Sequence, residues 1–413
     1  MAREMKDSGI EWIGEIPAEW KTIKFKYLHN GLNTGESIDK EYWSAEENDK
    51  LFYTAGLVPI RTNYTDFPDW KYTKGNDILL ARNGTPYVYF PAEGACYTDH
   101  IIRASMKNQI NRRFVQYGLQ QSIASVVVDS VSIPTWSASL WNEQVIAWPS
   151  EMDQQRIVDF LDIECARIDF VIDQTRASIE EYKKLKQAVI TQAVTKGIRP
   201  DRQMKDSGIE WIGDIPADWK VRRIKTLFQL RDERNYLPLE EVNLISLYTD
   251  LGVVQHCDLE KTTGNKASNA DGYKKVYEND IIVNIILCWM GAIGRSAYSG
   301  VTSPAYDIYI PSDEIECRFY HHYFRTNGFS GDCYKRGKGI MAMRWRTYSD
   351  QFRDIKVVCP PKEEQVEILE YLDQKTAEID LLIAKKEKFL LDLESYKKSL
   401  IYEYVTGKKE VPA

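Results

Sequence analysis

The sequence predicts a mixed α/β (α+β) protein made of two similar halves, each with a mixed helix-and-strand domain followed by one long helix. Three observations lead to this fold class: a duplicated opening segment, two long stretches with helical spacing of apolar residues, and a strand-rich stretch in each half. The chain of 413 residues also exceeds the roughly 100–200 residues of one domain. The predicted limits are residues 1–149 and 198–360 for the mixed domains, 150–197 and 361–408 for the helices, and 409–413 for a tail.

A duplicated segment opens each half. Residues 5–20 read MKDSGIEWIGEIPAEW and residues 204–219 read MKDSGIEWIGDIPADW, which differ by two exchanges of Glu for Asp. A second pair of similar segments, QQRIVDFLD at 154–162 and QVEILEYLD at 365–373, lies where each helix is expected to begin. Solenoid repeats have periods of about 20–50 residues, so this longer spacing indicates duplication of a half-molecule. The stretches between these segments do not align, and we expect similar frames to hold dissimilar inserts.

Each half contains one long predicted helix. Apolar residues recur at spacings of three and four from Ile157 to Val189 and from Ile368 to Tyr404, which predicts helices of roughly 45 residues with a coiled-coil seam. Such a helix cannot bury its apolar stripe alone, so we expect the two to pack on each other. The alternative is that each packs only on its own domain. Prolines that suit a helix start and glycines that suit a helix end flank both stretches, at Pro149, Pro360, Pro361, Gly197 and Gly407.

The remaining stretches favour strands. Residues 21–149 and 220–359 are rich in Tyr, Trp, Val, Ile and Thr and contain the turn pairs Asn83-Gly84 and Asp271-Gly272, which predicts mixed domains with much strand. Large apolar residues of the duplicated segments are expected to fix each domain to the helices. They are Trp12, Ile16, Trp20, Trp211, Ile215 and Trp219.

Composition excludes several classes of protein. The opening residues MAREMKDSGI lack the apolar stretch of a signal peptide, and no apolar run approaches the roughly 20 residues of a membrane span, so we expect a cytoplasmic protein without a membrane partner. The seven cysteines never form C-x-x-C, which argues against a disulfide framework or a zinc site and for buried free thiols. The formal net charge of -7 argues weakly against a nucleic-acid partner, although such a sum can hide a local basic patch.

Catalytic signatures are absent from the sequence. The pair Pro360-Pro361 lacks the flanking residues of an adenine methyltransferase motif, no phosphate-binding Gly-x4-Gly-Lys-Ser/Thr loop occurs, and no histidine pair has zinc-hydrolase spacing. A metal-nuclease pattern can be assembled only from Asp201 with Asp218 and Lys220, which is a weak match. We therefore predict a chain without catalytic residues or a metal site.

One basic tract stands out between residues 335 and 356. It interleaves arginines and lysines with Tyr334, Trp345, Tyr348 and Phe352. Such cations neutralise DNA phosphates, and arginine also reads guanine in the major groove. A solvated basic face with no ligand is the competing interpretation.

Taken together, these features resemble the DNA specificity subunit of Type I restriction-modification systems. The resemblance rests on the paired SGIEWIGxIPxxW segments, on the Pro-x-x-x-Asp/Glu-Gln and Leu-Asp residues at the two helix starts, and on WMGAIG at 289–294 with SPAY at 303–306. It covers the whole chain, and it is most specific in the duplicated opening.

The resemblance implies a function. Residues 1–149 and 198–360 would be target recognition domains, each reading one half of a bipartite asymmetric double-stranded DNA target, joined by two long antiparallel helices in a pseudo-twofold arrangement. Two methyltransferase subunits would dock on the helices and methylate adenine with S-adenosylmethionine. Motor-nuclease subunits would join to restrict DNA with ATP and Mg²⁺. This chain would bind none of these cofactors and catalyse no reaction.

We predict the DNA contacts on exposed loops beside glycine turns, because groove-reading side chains must project from the surface. Trp289 and Trp345 are aromatic candidates, although Trp289 lies in an apolar run typical of core. The alternative function is a coiled-coil scaffold carrying two carbohydrate- or peptide-binding domains. The predicted DNA-binding residues are Arg61, Arg82, Asn83, Arg103, Lys335, Arg336, Lys338, Arg344, Trp345 and Arg346.

Overall fold

The computed structural model describes residues 3–124, 135–258, 269–339 and 345–412. The chain forms two compact units, one of Met1–Arg176 with Lys388–Ala413 and one of Ala177–Glu387. Within the described residues, none of the helices is both long and apolar enough to cross a membrane. All seven cysteines are free, and six are buried as predicted, whereas Cys257 is exposed.

The first unit contains twelve strands in its described part. They are β1 (Met5–Asp7), β2 (Glu15–Pro17), β3 (Lys21–Lys24), β4 (His29–Thr34), β5 (Trp43–Ser44), β6 (Lys50–Tyr53), β7 (Ile60–Thr62), β8 (Asp77–Ala81), β9 (Val88–Tyr89), β10 (Cys96–Tyr97), β11 (Ile101–Met106) and β12 (Val145–Trp148). The helices that follow in chain order are α1 (Arg112–Ala124), α2 (Ala138–Asn142) and the long α3 (Glu151–Lys196). Short 3₁₀ turns lie at Phe25–Tyr27, Lys40–Tyr42 and Asp69–Lys71.

A sheet with the strand order β4-β11-β8-β9 forms the centre of the first domain. Every residue of β8 is buried, and its side chains alternate between two cores as the period of two requires. Ile78 and Leu80 pack with Val115 and Leu119 of α1, whereas Leu79 packs with Tyr53 of the smaller sheet β10-β6-β7-β5. The central sheet is therefore covered on both faces.

The second unit contains the other twelve strands of the described chain. They are β13 (Met204–Asp206), β14 (Asp214–Pro216), β15 (Lys220–Arg223), β16 (Phe228–Arg231), β17 (Ile245–Tyr248), β18 (Gly252–Gln255), β19 (Lys274–Val276), β20 (Ile281–Asn284), β21 (Ile293–Arg295), β22 (Gly300–Thr302), β23 (Tyr306–Pro311) and β24 (Lys356–Cys359). Its helices are α4 (Cys317–Phe324), α5 (Asn327–Arg336) and α6 (Ser349–Arg353), and it contains the first part of the long α7 (Lys362–Val405), whose last part belongs to the first unit. Its 3₁₀ turns lie at Ile224–Thr226, Leu239–Glu241, His256–Asp258 and Cys288–Met290.

The second domain has the same central sheet, with the order β16-β23-β20-β21. Ile281 and Val283 of β20 face the core shared with α4 and α5, and Ile282 faces the other core with Ile245 and Val276. The expectation of dissimilar inserts is thus wrong at the level of the sheet. A strand of this sheet needs apolar side chains of suitable size towards both cores, and many unlike sequences meet that requirement.

The two long helices pack antiparallel, which confirms the predicted fold class. In the first unit Lys397 pairs with Asp169 (2.6 Å) and Glu394 with Arg176 (3.1 Å). Residue numbers therefore fall along α7 in the direction in which they rise along α3. In the second unit the Lys186–Asp380 pair (2.6 Å) lies beside the contact of Lys386 with the Tyr182 ring (5.7 Å). The alternative that each helix packs only on its own domain is therefore wrong.

Part of the predicted apolar seam is buried and part is not. Ile157, Leu161 and Ile168 of α3 share a core with Leu400 and Tyr404 of α7. Leu185 and Tyr396, however, are 48% and 56% exposed, although the periodicity places both on the seam. The seam is therefore buried at most of the positions that the periodicity predicts and exposed at Leu185 and Tyr396.

Each domain is tied to the helix that follows it by an arginine–aspartate pair. In the first unit Arg113 Nε donates to Asp162 (2.8 Å), which also accepts from Tyr117 Oη. In the second unit Arg318 donates to both oxygens of Asp373 (2.6 and 2.8 Å). The position that corresponds to Tyr117, four residues after the arginine, is occupied by His322.

The duplicated segments contact the helix ends, and one tryptophan of each, Trp20 and Trp219, is buried, whereas Trp12 and Trp211 are half-buried. At the second junction Trp219 Nε1 donates to Glu364 Oε2 (3.0 Å), while Arg202 pairs with both Asp218 (2.7 Å) and Glu364. Glu364 stands in the first turn of α7 and is almost fully buried. This junction is therefore a closed hydrogen-bonded network.

The first junction has the same parts in a different arrangement. Arg3 Nε donates to Glu19 (2.9 Å), but the buried Trp20 Nε1 has no partner among the described residues. Asp153, which occupies the position of Glu364, instead accepts from the Ser150 hydroxyl (2.8 Å). The corresponding Pro361 of the second half cannot make this bond, since it has no side-chain donor.

Candidate nucleic-acid interface

The two central strands can be aligned through an aspartate at the start of each. Asp77 accepts a hydrogen bond from the Lys74 amide (2.7 Å), and Asp280 accepts one from the Tyr277 amide (2.8 Å). This shared turn places Arg82 of the first domain at the position of Ile285 in the second.

At the other end of these strands a later segment of the chain returns. The Trp136 amide donates to Arg82 O (2.6 Å), and the Thr347 amide donates to Ile285 O (2.9 Å). We call this place the strand-end site, comprising residues 82–83 with 135 in the first domain and residues 285–286 with 346 in the second. Each site carries an arginine, but Arg82 directly follows strand β8, whereas Arg346 belongs to the returning segment.

The first strand-end site is a polar cluster. Asn83 Nδ2 donates to His100 Nδ1 (2.6 Å), and Arg82 donates to the carbonyl of Asp99 (3.3 Å). The hydroxyl of Ser37 donates to the Asp99 carboxylate and is the main cause that lowers the pKa of that group. The half-exposed Arg82 and Asn83 are thereby held in place at the surface.

The second strand-end site lies beside a concentration of positive charge. Helix α5 ends with Lys335 and Arg336, and the hydrogen bond from Lys335 to Glu210 (2.7 Å) raises the lysine pKa. Lys338 and Arg346 face each other through two backbone hydrogen bonds of 2.8 and 3.0 Å. Arg336, Lys338 and Arg346 are exposed and have no ion-pair partner in the described part of the chain.

Trp345 belongs to this site but is only partly exposed. Its ring stacks on Tyr334, with centroids 5.0 Å apart at 23°, and its Nε1 donates to Tyr334 O (3.1 Å). The Trp289 ring also contacts Tyr334, with centroids 5.6 Å apart at 59°, and packs against the core. Arg344, another predicted contact, lies outside the described residues.

The structure separates Arg61 and Arg103 from this arrangement. Arg61 lies on β7 and donates to Asp49 O (2.7 Å). Arg103 is only 7% exposed and donates to the carbonyls of Trp70 (2.6 Å) and Tyr72 (3.1 Å). Contrary to the prediction, Arg103 does not project from the surface, because its guanidinium bonds are used inside the domain.

Sequence reasoning did not find His100 and Asp99, which complete the first site. The signal that points to them is the polar run Thr98-Asp-His100 between two buried apolar strands. Such a run interrupts a core only where the chain reaches the surface, so it marks the turn beside the strand end.

The weak nuclease pattern has no supporting geometry. The Asp218 carboxylate is occupied by Arg202. Across residues 3–124, 135–258, 269–339 and 345–412, no group of three or more His, Cys, Asp or Glu side chains is arranged to hold a metal ion.

The sequence is similar to specificity subunits of Type I restriction enzymes. Residues 216–389 match the family model described as the Type I restriction modification DNA specificity domain. The specificity subunit of the Type I restriction enzyme EcoDI of Escherichia coli is 22% identical over 95% of this chain and 89% of its own length. The specificity subunit of the Type I restriction enzyme MjaVIII of Methanocaldococcus jannaschii is 22% identical over 54% of this chain and 52% of its own length.

A solved structure has a similar fold. It comes from work on complex assembly and conformational transition of the type I R-M system, and the alignment covers 95% of this chain and 99% of that one. The TM-score is 0.67 at 12% sequence identity, so the likeness concerns the fold.

Proposed function

Since the chain belongs to the DNA specificity subunits of Type I restriction-modification systems, which work with other subunits on DNA, we propose that each recognition domain reads one half of a bipartite asymmetric target. The chain then directs adenine methylation or restriction by its partner subunits to that sequence. The comparisons give no support to the alternative function, a scaffold with carbohydrate- or peptide-binding domains.

The strand-end sites are the observation that carries this proposal. Each domain presents an arginine at the strand-end site of its central sheet, but the neighbouring side chains differ. Asn83 and His100 adjoin Arg82 in the first domain, whereas Lys338 faces Arg346 in the second. A shared position with different donors and acceptors suits two domains that read different half-sites.

We further propose that two methyltransferase subunits dock on the long helices. Three pairs of equivalent positions in the two helix repeats carry exposed apolar residues, which are Phe170 and Leu381, Val171 and Leu382, and Leu185 and Tyr396. Each compact unit contributes three of these six residues. Exposed apolar side chains in such numbers are typical of protein interfaces, and their equivalence favours two copies of one partner.

The chain itself is proposed to be non-catalytic. The motifs for methyl transfer and nucleotide hydrolysis are absent from the sequence, so S-adenosylmethionine, ATP and Mg²⁺ are assigned to the methyltransferase and motor-nuclease subunits. The side chains of this chain supply DNA contacts and surfaces for the partner subunits.

The test is co-expression of the chain with a Type I methyltransferase subunit, followed by single-molecule sequencing of host DNA for N6-methyladenine. We expect a two-part motif with a fixed gap that disappears when the chain is omitted. A motif with a single uninterrupted part, or a stable complex that methylates without sequence preference, contradicts the proposal.

A further inference from the structure

We propose that Trp345 is a positioning residue, which holds Lys338 and Arg346 as a two-cation site for one phosphate of the DNA backbone. This inference rests on the proposed function of the chain as a DNA-reading subunit. It assigns Trp345 a role different from the direct DNA contact expected from the sequence.

The pairing of Lys338 with Arg346 determines where their side chains project. The two residues exchange both backbone hydrogen bonds, Lys338 N to Arg346 O (2.8 Å) and Arg346 N to Lys338 O (3.0 Å). Residues paired in this way lie directly opposite each other, with side chains on the same face. The two cations therefore leave the chain side by side.

Placing the Lys338 and Arg346 side chains next to each other is electrostatically unfavourable unless an anion binds between them. Like charges directly opposite on paired strands repel each other, and both side chains are exposed without a carboxylate partner in the described chain. Lys335 lies only three residues before Lys338 but, by contrast, has an ion-pair partner in Glu210. A DNA phosphate between Lys338 and Arg346 would supply the missing negative charge.

Trp345 and its neighbours fix the base of this pair. The indole is stacked on Tyr334, and its Nε1 is hydrogen-bonded to the Tyr334 carbonyl. Gly337 lies directly against the indole, since a Cβ atom added there would stand 2.3 Å from Trp345 Nε1. On the other side of the pair, the buried Thr347 hydroxyl donates to Cys333 O (2.9 Å).

We call Gly337 and Trp345 with the Tyr334 that supports them the clamp, because they fix the backbone next to the two cations. Gly337 directly precedes Lys338 and Trp345 directly precedes Arg346, so the contact between glycine and indole joins the two backbone positions that carry the charges. A bulkier residue at 337 or a smaller one at 345 changes this spacing without removing any charge.

The experiment measures binding of the full chain to a short fluorescent DNA duplex of random sequence over a series of salt concentrations. The slope of log affinity against log salt reports the number of phosphates neutralised, at about 0.9 for each. The double variant Lys338→Ala with Arg346→Ala is expected to lower the slope by about 0.9. Trp345→Ala and Gly337→Ala are expected to lower it by a comparable amount, although neither removes a charge.

Two variants serve as controls. Trp345→Phe keeps a ring on Tyr334 but loses the Nε1 hydrogen bond, and it is expected to lower the slope less than Trp345→Ala does. Lys205→Ala removes an exposed cation of the same unit outside the clamp and is expected to leave the slope unchanged. Melting temperatures close to that of the wild type establish that each variant is folded.

The possible outcomes separate the inference from its premise. If Trp345→Ala weakens binding equally at every salt concentration, the indole contacts DNA itself and the positioning role is refuted. An unchanged affinity and slope in Trp345→Ala also overturns it. If the wild-type chain shows no salt-dependent DNA binding, the proposed function fails and the inference falls with it.

Discussion

The two halves of the chain use nearly the same frame but connect it differently. Trp219 Nε1 and Arg202 both donate to the buried carboxylate of Glu364, whereas Trp20 Nε1 has no hydrogen-bond partner in the described chain and the Asp153 carboxylate accepts from the Ser150 hydroxyl. The duplicated segments themselves are almost identical. Exchanges at a few neighbouring positions therefore decide which hydrogen bonds the same tryptophan and arginine can make.

The largest expected difference is in stability at the junctions. Replacement of Glu364 by Ala leaves the buried Trp219 Nε1 without its acceptor and leaves Arg202 with Asp218 alone, and we expect a loss of about 3 kcal/mol in the free energy of unfolding. The matched change Asp153→Ala removes only a partner of Ser150 at the start of a helix and should cost about 1 kcal/mol. Denaturant unfolding of both variants checks this, and equal losses would contradict the contrast between the junctions.

A second contrast concerns acid. Burial lowers the pKa of His322 to about 4, with a further contribution from Arg318, and burial also lowers the pKa of His321 to about 3. The corresponding position of the first domain is Tyr117, which does not titrate in this range.

Because the histidine pKa values are lower in the folded protein than in the unfolded chain, their contribution is present above about pH 6.5 and is lost as the pH falls towards 4. At about pH 5 the expected loss is about 2 kcal/mol from His322 alone. Hydrogen exchange at neutral and acidic pH should show protection lost first in the second domain. His322→Tyr should reduce the difference, and earlier loss in the first domain would refute the prediction.

The third prediction separates base reading from backbone binding. Arg82 is held beside Asn83 and His100, so its loss should weaken discrimination at one half-site by about 1–2 kcal/mol. Methylome sequencing with Arg82→Ala should therefore show a relaxed first half of the motif and an intact second half. A uniform decrease of methylation at an unchanged motif would mean that Arg82 contacts phosphate instead.

The smallest expected effect is a gain. Asp153→Glu lengthens the side chain by the methylene group that separates it from Glu364, so that its carboxylate can accept from Trp20 Nε1. We expect an increase of about 0.5–1 kcal/mol in the free energy of unfolding. Trp20→Phe in the same background should abolish the increase, and a gain that persists without the indole nitrogen would exclude this cause.

The sequence predicted the frame better than the sites. Apolar spacing over 157–189 and 368–404 identified both helices, because a periodic pattern this long has few alternatives. It could not predict that Leu185 and Tyr396 stay exposed, since their spacing is the same as that of buried neighbours.

The shared sheet and the strand-end sites lay beyond sequence reasoning. Arg82 and Arg346 occupy different positions of equivalent sites, which depend on a returning segment far along the chain, and no local pattern reports that pairing. Arg103 was misjudged because an arginine on a strand looks the same in sequence whether its guanidinium bonds carbonyls or solvent. The domain limits and the individual DNA contacts stay predictions.

The composition of the first compact unit has a consequence for synthesis. It combines Met1–Arg176 with Lys388–Ala413, whereas the second unit is the continuous stretch Ala177–Glu387. A ribosome therefore releases every residue of the second unit before the first unit has received the helix end that completes its core with Leu400 and Tyr404. The half that emerges first is the last to be finished, because its nascent apolar surface stays uncovered until Leu400 and Tyr404 have left the ribosome.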